Sequence, residues 1–320
     1  MSLARFAVGR VVSGAIFALI VASFTLLLAR LVPGDPSFDD GPSRTPEEAA
    51  ALRAELGLDQ PFLTQYARWL GGLVRLDLGR SSMYRRPVTD LVGERAANTA
   101  ILALAALLVA TGIGLPLGRR AGSSADGVAR VVRAASLAVL SVPPLLSALL
   151  LVFIAARTGW LPVGGMTSGG HTGAAWLADL LRHLPVPTLA LALPLAATLE
   201  RLQARAMADT IRRPFVAASR ARGLDRAGAV RVHAWPVSLA PVLGNYGVLV
   251  GTLFSGSFVV EIVTAWPGLG RLLFDALSAR DVWLVAGCGA LGAVSLAAGT
   301  TVADIAHALI DPRVLEGRHE

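Results

Sequence analysis

The sequence contains no lysine, and all 29 of its basic residues are arginines. This absence excludes several chemistries at once, because Walker-type phosphate loops, Schiff-base enzymes and protein kinases each depend on a lysine amine. The chain therefore cannot cradle a nucleoside triphosphate with a Walker lysine, and it cannot form an imine with a carbonyl substrate.

Cysteine and charge are also scarce. The single cysteine, Cys288, lies in an apolar run and has no partner for a disulfide or a thiolate cluster, so we expect it to serve as core packing. Only 16% of the 320 residues are charged, whereas 54% are apolar and the mean hydropathy is +0.61. This composition is too apolar for an ordinary soluble domain, and it predicts a protein of the lipid bilayer.

Six stretches between successive charged residues are long enough to cross a membrane, which requires about 20 apolar residues in a helix. The stretches are 11–29, 96–118, 134–156, 184–199 with an extension to residue 206, 234–260 and 282–303. The first run is longer than the apolar core of a signal peptide and is followed by a poor cleavage sequence. We therefore interpret it as an uncleaved membrane helix.

The arginines predict the orientation of these spans. With the N-terminus inside, sixteen of them fall in cytoplasmic segments, and only four fall in the short outer loops. The other nine are Arg30 and eight in the long segment before the second span, and long translocated segments are exempt from the positive-inside rule. The sequence thus predicts an all-α polytopic membrane protein with six transmembrane helices and both termini in the cytoplasm.

Prolines interrupt the third and fourth predicted spans. Pro143 and Pro144 lie in the middle of the third span, and Pro185, Pro187 and Pro194 lie in the fourth. Each proline removes a helical hydrogen-bond donor and favours a kink, while the many glycines and alanines allow helices to approach closely. A static kinked bundle would fit this pattern, but a protein that changes shape fits it better.

Residues 33–95, between the first two spans, contain two predicted helices. In the first, Thr45 is the N-cap, Pro46 takes the first helical position and Glu48 completes a capping box, after which Gly57 ends the helix. A segment of about 65 residues is too small for an independent domain of ordinary stability. We therefore expect it to pack on the outer face of the membrane.

The second helix of this segment is predicted from about Pro61 to Val74. Its apolar side is expected to comprise Leu63, Tyr66, Ala67, Leu70 and Leu73. An acidic cluster precedes both helices, at Asp35, Asp39 and Asp40. The cluster lacks the glycine and glutamate of an EF-hand loop, so we interpret it as a solvated turn rather than a calcium site.

The most basic cytoplasmic segment is about residues 207–236, which includes PFVAASRARGLDRAGAVRVHAWP at 214–236. Pro214 suits the first turn of a helix, Gly223 suits a left-handed stop, and Asp225 suits the cap of the next helix. Two short helices with a corner between them are therefore expected.

The first of these helices is predicted to carry a shallow face of small residues, because Ala217, Ala218 and Ala221 occupy adjoining helical positions. Arginines project around it, at Arg213, Arg220, Arg222 and Arg226. Small residues allow close backbone approach, and arginine pairs with carboxylates in bidentate fashion, so the pattern favours docking of a protein partner.

Three other interpretations of the segment compete with docking. Anionic headgroups would attract its arginines, but contact with them requires neither a compact corner nor an alanine face. The segment could also be basic only because it faces the cytoplasm. Nucleic-acid binding is not expected, because stacking aromatics are absent apart from Phe215 and Trp235.

The spacing of the segment resembles the EAA loop of ABC-importer permeases, whose motif runs Glu-Ala-Ala, three residues, Gly, nine residues, Ile-x-Leu-Pro. Ala218, Gly223 and Pro236 match this motif with the spacing intact. The motif's glutamate, second alanine, isoleucine and leucine are replaced by Ala217, Ser219, His233 and Trp235.

Segments along nearly the whole chain resemble the dipeptide, oligopeptide and nickel branch of these permeases, in the right order and spacing. They are RLVPGDP at 30–36, LGLDQP at 56–61, DLGRS at 77–81, RPV at 86–88, LPLG at 115–118, ARGL at 221–224, WPGLGRLLFDAL at 266–277, RD at 280–281 and DPR at 311–313. The first span followed by PGDP and an insert is similar to the insert-bearing permease of the pair.

The resemblance implies the type I ABC-importer permease fold and a division of the chain. Residues 1–32 would hold the first transmembrane helix and 33–95 the extracytoplasmic helical insert. Residues 96–310 would form the permease core with the coupling loop, and 311–320 a cytoplasmic tail.

The resemblance also implies partners. These are a second homologous permease, two ABC ATPase subunits that bind ATP and magnesium, an extracytoplasmic solute-binding protein and membrane lipid. The chain itself would bind no cofactor or metal and would not be an enzyme. The location implied is the inner membrane of a prokaryote.

The residues expected to contact the ATPase follow from the motif and the corner. They are Ala217, Ala218, Ser219, Arg220, Arg222, Gly223, Asp225, His233 and Pro236.

Polar residues in or near the spans are separate candidates for function. Glu261 precedes WPGLGR, where the family also tends to have an acid, and it could gate the pathway, anchor a loop or simply reach water. Asn245 could line the pathway or bond to a neighbouring helix. Asp304 and His307, one turn apart, are expected to pair or snorkel rather than bind a metal.

Two functional classes follow from the sequence. The first is a permease subunit of an ATP-driven importer for peptides, with nickel as the alternative solute. The second is a self-sufficient secondary transporter or channel, which would need acids at mid-membrane or an inverted repeat, and the sequence shows neither. An enzyme is disfavoured, because no nucleophile, base and acid fall in a recognisable arrangement.

Overall fold

The computed structural model describes residues 3–31, 59–170 and 172–310, together with residues 47, 54 and 57. Over these ranges the chain is helical, and its only β-type pairing is an isolated bridge between Arg80 and Pro87. The helices are α1 (Leu3–Leu31), α2 (Phe62–Val74), α3 (Val88–Ser123), α4 (Gly127–Ser141), α5 (Pro144–Thr158), α6 (Gly173–His183), α7 (Pro185–Ile211), α8 (Pro214–Ala221), α9 (Arg226–Ala229), α10 (Trp235–Leu243), α11 (Tyr246–Val263), α12 (Leu269–Ser278) and α13 (Val282–Ile310).

Four of these helices, α1, α3, α11 and α13, are individually long and apolar enough to cross a membrane. Two further spans result if each of the bent pairs α4–α5 and α6–α7 counts as one, which gives the six that the sequence predicts. The all-α membrane fold is thus confirmed for the described residues. The orientation of the spans stays a prediction.

The third predicted span is broken more sharply than a proline kink. Helices α4 and α5 meet at 101°, with Val142 extended at φ −94° and ψ 123°. A residue before proline avoids the helical region, and Pro144 takes the first position of α5, where its missing N–H costs nothing. The two adjacent prolines therefore end one helix and begin another.

The fourth and fifth spans also differ in detail from the prediction. Helix α7 continues through Pro194, so this proline causes no break, and the 46° bend precedes Pro185. The predicted span 234–260 is instead divided between α10 and α11 at Gly244 and Asn245. The His307 ring packs against Gly244, and a Cβ at position 244 would lie only 2.9 Å from a ring carbon.

The chain forms two compact units. The first comprises residues 1–10, 101–266 and 299–320, and its main core is built from alanines and leucines of α3, α7 and α11 around the fully buried Trp266. The second comprises residues 11–100 and 267–298 and has its own core, which includes Trp69, Trp283 and residues of α1, α12 and α13.

Within the first unit, a row of glycines brings α3 and α7 into close contact. Gly114, Gly118 and Gly122 follow one another at intervals of four, and a Cβ on each would come within 2.7 Å of an α7 backbone oxygen. Side chains at these positions would therefore force the helices apart. The many glycines of the sequence predict close helix packing in general, but this particular row at every fourth residue was not predicted.

Within the second unit, helix α2 exists as predicted but is partly rotated: Tyr66 and Leu73 of its predicted apolar side pack against the core, and the rest of that side does so less. Leu63 and Ala67, which the pattern predicts to pack, are exposed, whereas Gln65 and Trp69 are buried. Trp69 buries more apolar area than either of them, and the Gln65 amide donates to the Gln60 carbonyl oxygen at 2.6 Å. These two interactions favour the observed rotation of the helix.

Several predictions fall largely or wholly on residues outside the described ranges. They are the capping-box helix at 45–57, the acidic cluster at Asp35, Asp39 and Asp40, and the tail at 311–320. Of the first of these, Gly57 is described, and its φ of +65° suits the predicted helix stop.

Candidate coupling loop

The loop predicted to contact the ATPase begins with α8, whose two sides differ in burial. Pro214 occupies the first helical turn, as predicted. Val216 and Ser219 face inward and are buried, and the Ser219 hydroxyl donates to the Val216 carbonyl oxygen at 2.7 Å. Ser219 thus lies on the packed side of the helix rather than forming part of its outer face.

The outward side of α8 consists of small residues. Ala217, Ala218 and Ala221 are all exposed, and together they form a surface without long side chains, here called the alanine surface. Arg220 and Arg222 are exposed beside it. The structure therefore has the shallow face predicted from the sequence, with arginines at its edge.

The corner after α8 depends on Gly223. Its φ is +100°, in the left-handed region that residues with a Cβ rarely adopt. No atom lies within 4 Å of the position that a Cβ would occupy, so the requirement for glycine is conformational rather than steric. This is the left-handed stop predicted from the sequence.

Asp225 caps the next helix, α9. Its carboxylate accepts a hydrogen bond from the Gly228 amide at 2.9 Å, which satisfies one free donor of the helix start. A Cβ at Gly228 would lie 2.6 Å from the same carboxylate oxygen. Gly228 is thus part of the cap, and the Asp-x-x-Gly spacing is the sequence signal that could have revealed it.

The loop then enters the membrane helix through a widened turn. Val230–Ala234 is a π-helical segment, and Pro236 lies in the first turn of α10. His233 is half-buried in this segment, and Pro236 is exposed at the start of the helix. The loop packs on a small core of its own, formed by Met207, Val216, Ala229 and Ala234.

The turn between α3 and α4 supports the second half of the loop. The Arg226 guanidinium donates to the Ser123 carbonyl oxygen at 3.1 Å, and the Arg119 guanidinium lies 5.2 Å from the centre of the Trp235 ring. Asp126 caps α4 and pairs with Arg120. The Ala129 amide and then the Arg120 guanidinium hold the pKa of the Asp126 carboxyl below its ordinary value, so the carboxylate stays charged at neutral pH.

The two predicted gate residues lie in different surroundings. Glu261 is fully buried, which contradicts the alternative that it simply reaches water, and its backbone oxygen accepts from the Trp266 amide at 2.9 Å. Asn245 donates to the Pro241 carbonyl oxygen at 2.8 Å, within its own chain segment rather than to a neighbouring helix. A role of either residue in the pathway stays a prediction.

Asp304 pairs with Arg10 at 3.2 Å, and the described part of the chain holds no group of three or more His, Cys, Asp or Glu placed to hold a metal ion. Arg10 and Asp304 belong to the same compact unit. The pairing expected for Asp304 is therefore present, with an arginine of α1 rather than with His307.

Two buried polar residues of α7 were not predicted from the sequence. Glu200 and Gln203 are 1% and 0% exposed, and the Gln203 amide donates to the Ser238 hydroxyl at 2.8 Å. Both carboxylate oxygens of Glu200 lack a hydrogen-bond partner among the described residues. Burying such a group costs free energy. The sequence signal was a charge that directly ends an apolar run.

Comparison with known proteins gives two family matches that together cover nearly the entire chain. Residues 98–316 match the binding-protein-dependent transport system inner membrane component, and residues 3–102 match the N-terminal part of the corresponding membrane component. Both matches describe a membrane component of a transport system rather than an enzyme. This agrees with the long apolar helices, and it establishes a multi-pass protein of the prokaryotic inner membrane.

Relatives of similar length agree with these matches. A Brucella suis protein named as a peptide transport system permease is 34% identical over 92% of this chain and 94% of its own. The Bacillus subtilis oligopeptide transport system permease protein AppB is 29% identical over 92% and 93%. The Sinorhizobium fredii peptide ABC transporter permease protein y4tP is 30% identical over 95% and 97%. The chain belongs to the family of binding-protein-dependent transport system inner membrane components, with the type I ABC-importer permease fold.

Proposed function

We propose that this chain is the permease subunit of an ATP-driven peptide importer and forms half of a pathway through the inner membrane. The relatives named for peptide transport come from three organisms and align with more than nine-tenths of the chain. Their names favour peptides over nickel, and the family match favours an importer subunit over a self-sufficient secondary transporter.

The proposal divides the work among several polypeptides. A solute-binding protein delivers the peptide, a second homologous permease completes the pathway, and two ATPase subunits bind ATP with magnesium. The chain has no lysine with which to build a Walker phosphate loop, which supports placing ATP hydrolysis on other subunits. Its own contribution is the pathway and the surface that receives the ATPase.

The observation that carries this proposal is the exposed alanine surface of α8 beside a conformationally fixed corner. Side chains of one carbon allow a partner's backbone to approach closely, and Arg220 and Arg222 can pair with acidic groups at the rim. Ala217 replaces the family's glutamate, so the contact relies on shape and on these arginines rather than on that acid.

The chain path explains how movement of an ATPase would reach the membrane. From the alanine surface the chain passes the Gly223 corner, α9 and the π-helical segment, and it then continues into α10. The buried hydroxyl of Ser238 on α10 accepts from Gln203 of α7, so the two helices are joined close to the loop. A rigid shift of the loop would therefore displace both helices together.

The test is uptake by the complete transporter. The chain is purified with the ATPases, permease and binding protein encoded by neighbouring genes and is then reconstituted in liposomes. We expect ATP-dependent uptake of labelled peptides that requires the binding protein, with no comparable uptake of nickel. Nickel uptake in place of peptide uptake would contradict the proposed solute. Uptake by this chain alone, driven by a proton gradient, would contradict the proposed mechanism.

A further inference from the structure

An open cleft of about 640 Å³ lies where the end of α3 and the following turn meet α9 and the π-helical segment. Its charged lining is strongly basic, with four arginines and one acid: Arg119, Arg120, Arg226, Arg231 and Asp225. The volume is typical of sites that hold small molecules. No residue of the alanine surface lines the cleft, so the two features are separate.

The intramolecular contacts of the cleft leave much of its positive charge uncompensated. Arg120 is balanced by Asp126, and Asp225 is the only acid among the described residues that line the cleft. Arg226 uses one N–H on a backbone oxygen, and Arg119 stacks on Trp235. Within the described ranges, the Arg231 side chain makes no hydrogen bond or ion pair. Like charges held this close favour an anion between them.

We propose that this cleft binds the phosphate of an anionic lipid headgroup. Guanidinium groups bind phosphate oxygens through paired N–H donors, and they do so better than an ammonium group would. Basic pockets at the cytoplasmic ends of membrane helices are suited to acidic headgroups. The inference depends on the predicted orientation and not on the identity of the transported solute.

The position of the cleft along the chain favours a lipid over an acidic protein segment. Arg119 and Arg120 directly follow the apolar stretch 96–118, so they lie where the second span leaves the hydrocarbon. Trp235 is the first residue of α10, where the chain enters its next apolar run, and tryptophan favours the headgroup level of a bilayer. Two helix ends thus place the cleft at the depth of lipid phosphates.

A bound headgroup would also restrict the movement of the coupling loop. The cleft is lined by the turn after α3 on one side and by α9 on the other, and the Arg226 side chain bridges these two parts through its hydrogen bond to Ser123. A phosphate held by arginines from both sides would fix the second half of the coupling loop against the end of a membrane helix.

The test uses the full chain in nanodiscs of phosphatidylcholine, with or without phosphatidylglycerol. Native mass spectrometry counts retained phosphatidylglycerol for the wild type, for Arg226→Gln/Arg231→Gln, and for the control Arg212→Gln/Arg213→Gln. The control removes the same charge from exposed residues that do not line the cleft. We expect the cleft variant to retain the lipid about tenfold more weakly and the control to match the wild type.

A single-residue variant and a free-phosphate experiment distinguish a lipid headgroup from other ligands. The Arg231 side chain makes no hydrogen bond or ion pair with the described residues, so Arg231→Gln should weaken lipid retention while its thermal midpoint in phosphatidylcholine discs stays that of the wild type. In a second experiment, the thermal midpoint of the wild-type chain is measured in phosphatidylcholine discs with added inorganic phosphate. We expect phosphate to raise this midpoint clearly less than phosphatidylglycerol does. If inorganic phosphate raises the thermal midpoint as much as phosphatidylglycerol does, and the cleft variant abolishes this rise, the ligand is a free anion and not a lipid. Undiminished lipid retention by the cleft variant, with reduced ATPase co-purification, would assign the cleft to a protein partner instead.

Discussion

Two helix starts in this protein use the same device in opposite surroundings. Asp225 caps α9 at the exposed coupling loop, where its carboxylate accepts one backbone N–H. Asp281 caps α13 while only 1% exposed, and it accepts from the Leu284 amide at 3.1 Å, the Ser81 hydroxyl at 2.6 Å and the Met83 amide at 3.1 Å. One aspartate shapes a surface, and the other joins distant parts of the chain.

The difference indicates which parts of the molecule are fixed and which can move. The buried cap ties segment 81–83 to the start of α13 through two donors, the Ser81 hydroxyl and the Met83 amide, that would be costly to leave unpaired. The exposed loop is held by a cap, a left-handed glycine and a small core, and the alanine surface on its outer side is exposed. Changes at Asp281 should therefore affect stability, and changes at the Gly223 corner should affect coupling.

The largest effect on stability is expected from Asp281→Ala. Removing the carboxylate leaves the Ser81 hydroxyl and two amides without an acceptor, which should cost about 3 to 5 kcal/mol in the free energy of unfolding. The measurement is the thermal midpoint of the full chain in detergent. Asp281→Asn keeps one acceptor oxygen and should lose clearly less. An unchanged midpoint for Asp281→Ala would show that the junction does not stabilise the fold.

A smaller effect on stability, with a larger one on coupling, is expected from Gly223→Val. A β-branched residue at φ +100° should cost about 1 to 2 kcal/mol. Relief of this strain would reshape the corner, so peptide uptake per ATP hydrolysed should fall in reconstituted liposomes. Gly223→Asn is the matched control, because asparagine adopts left-handed backbone more readily. If the assembled Gly223→Val complex takes up as much peptide per ATP hydrolysed as the wild type, the corner is not required for coupling.

The coupling loop could be predicted in some detail because its shape is determined locally. Pro214, Gly223 and Asp225 each act through their own backbone geometry, and the structure places each of them in the predicted role. The long apolar spans were predictable for a similar reason, since their length and composition depend little on what they pack against.

The features that the sequence did not reveal depend on packing between distant segments. The partial rotation of α2 depends on which core receives Trp69, and the close fit at Gly244 depends on the His307 ring. Glu200 could be recognised as charged but not as buried, because its burial depends on neighbours that are distant in the sequence. Local patterns carry no information about such neighbours.

Docking of the alanine surface on the ATPase can be tested with a thiol introduced on that surface. The only cysteine, Cys288, is buried, so a cysteine introduced at an exposed position is the single accessible thiol of the chain. Ala218→Cys places this thiol on the alanine surface. Ala175→Cys, exposed on α6 in a predicted outer loop, is the control.

The most direct measurement attaches a photoreactive thiol reagent to each variant in the assembled transporter and identifies the adduct by mass spectrometry. We expect an ATPase adduct from Ala218→Cys and none from Ala175→Cys. An Ala218→Cys variant that is labelled by the reagent in an intact complex, but forms no more ATPase adduct than the control, would contradict this docking.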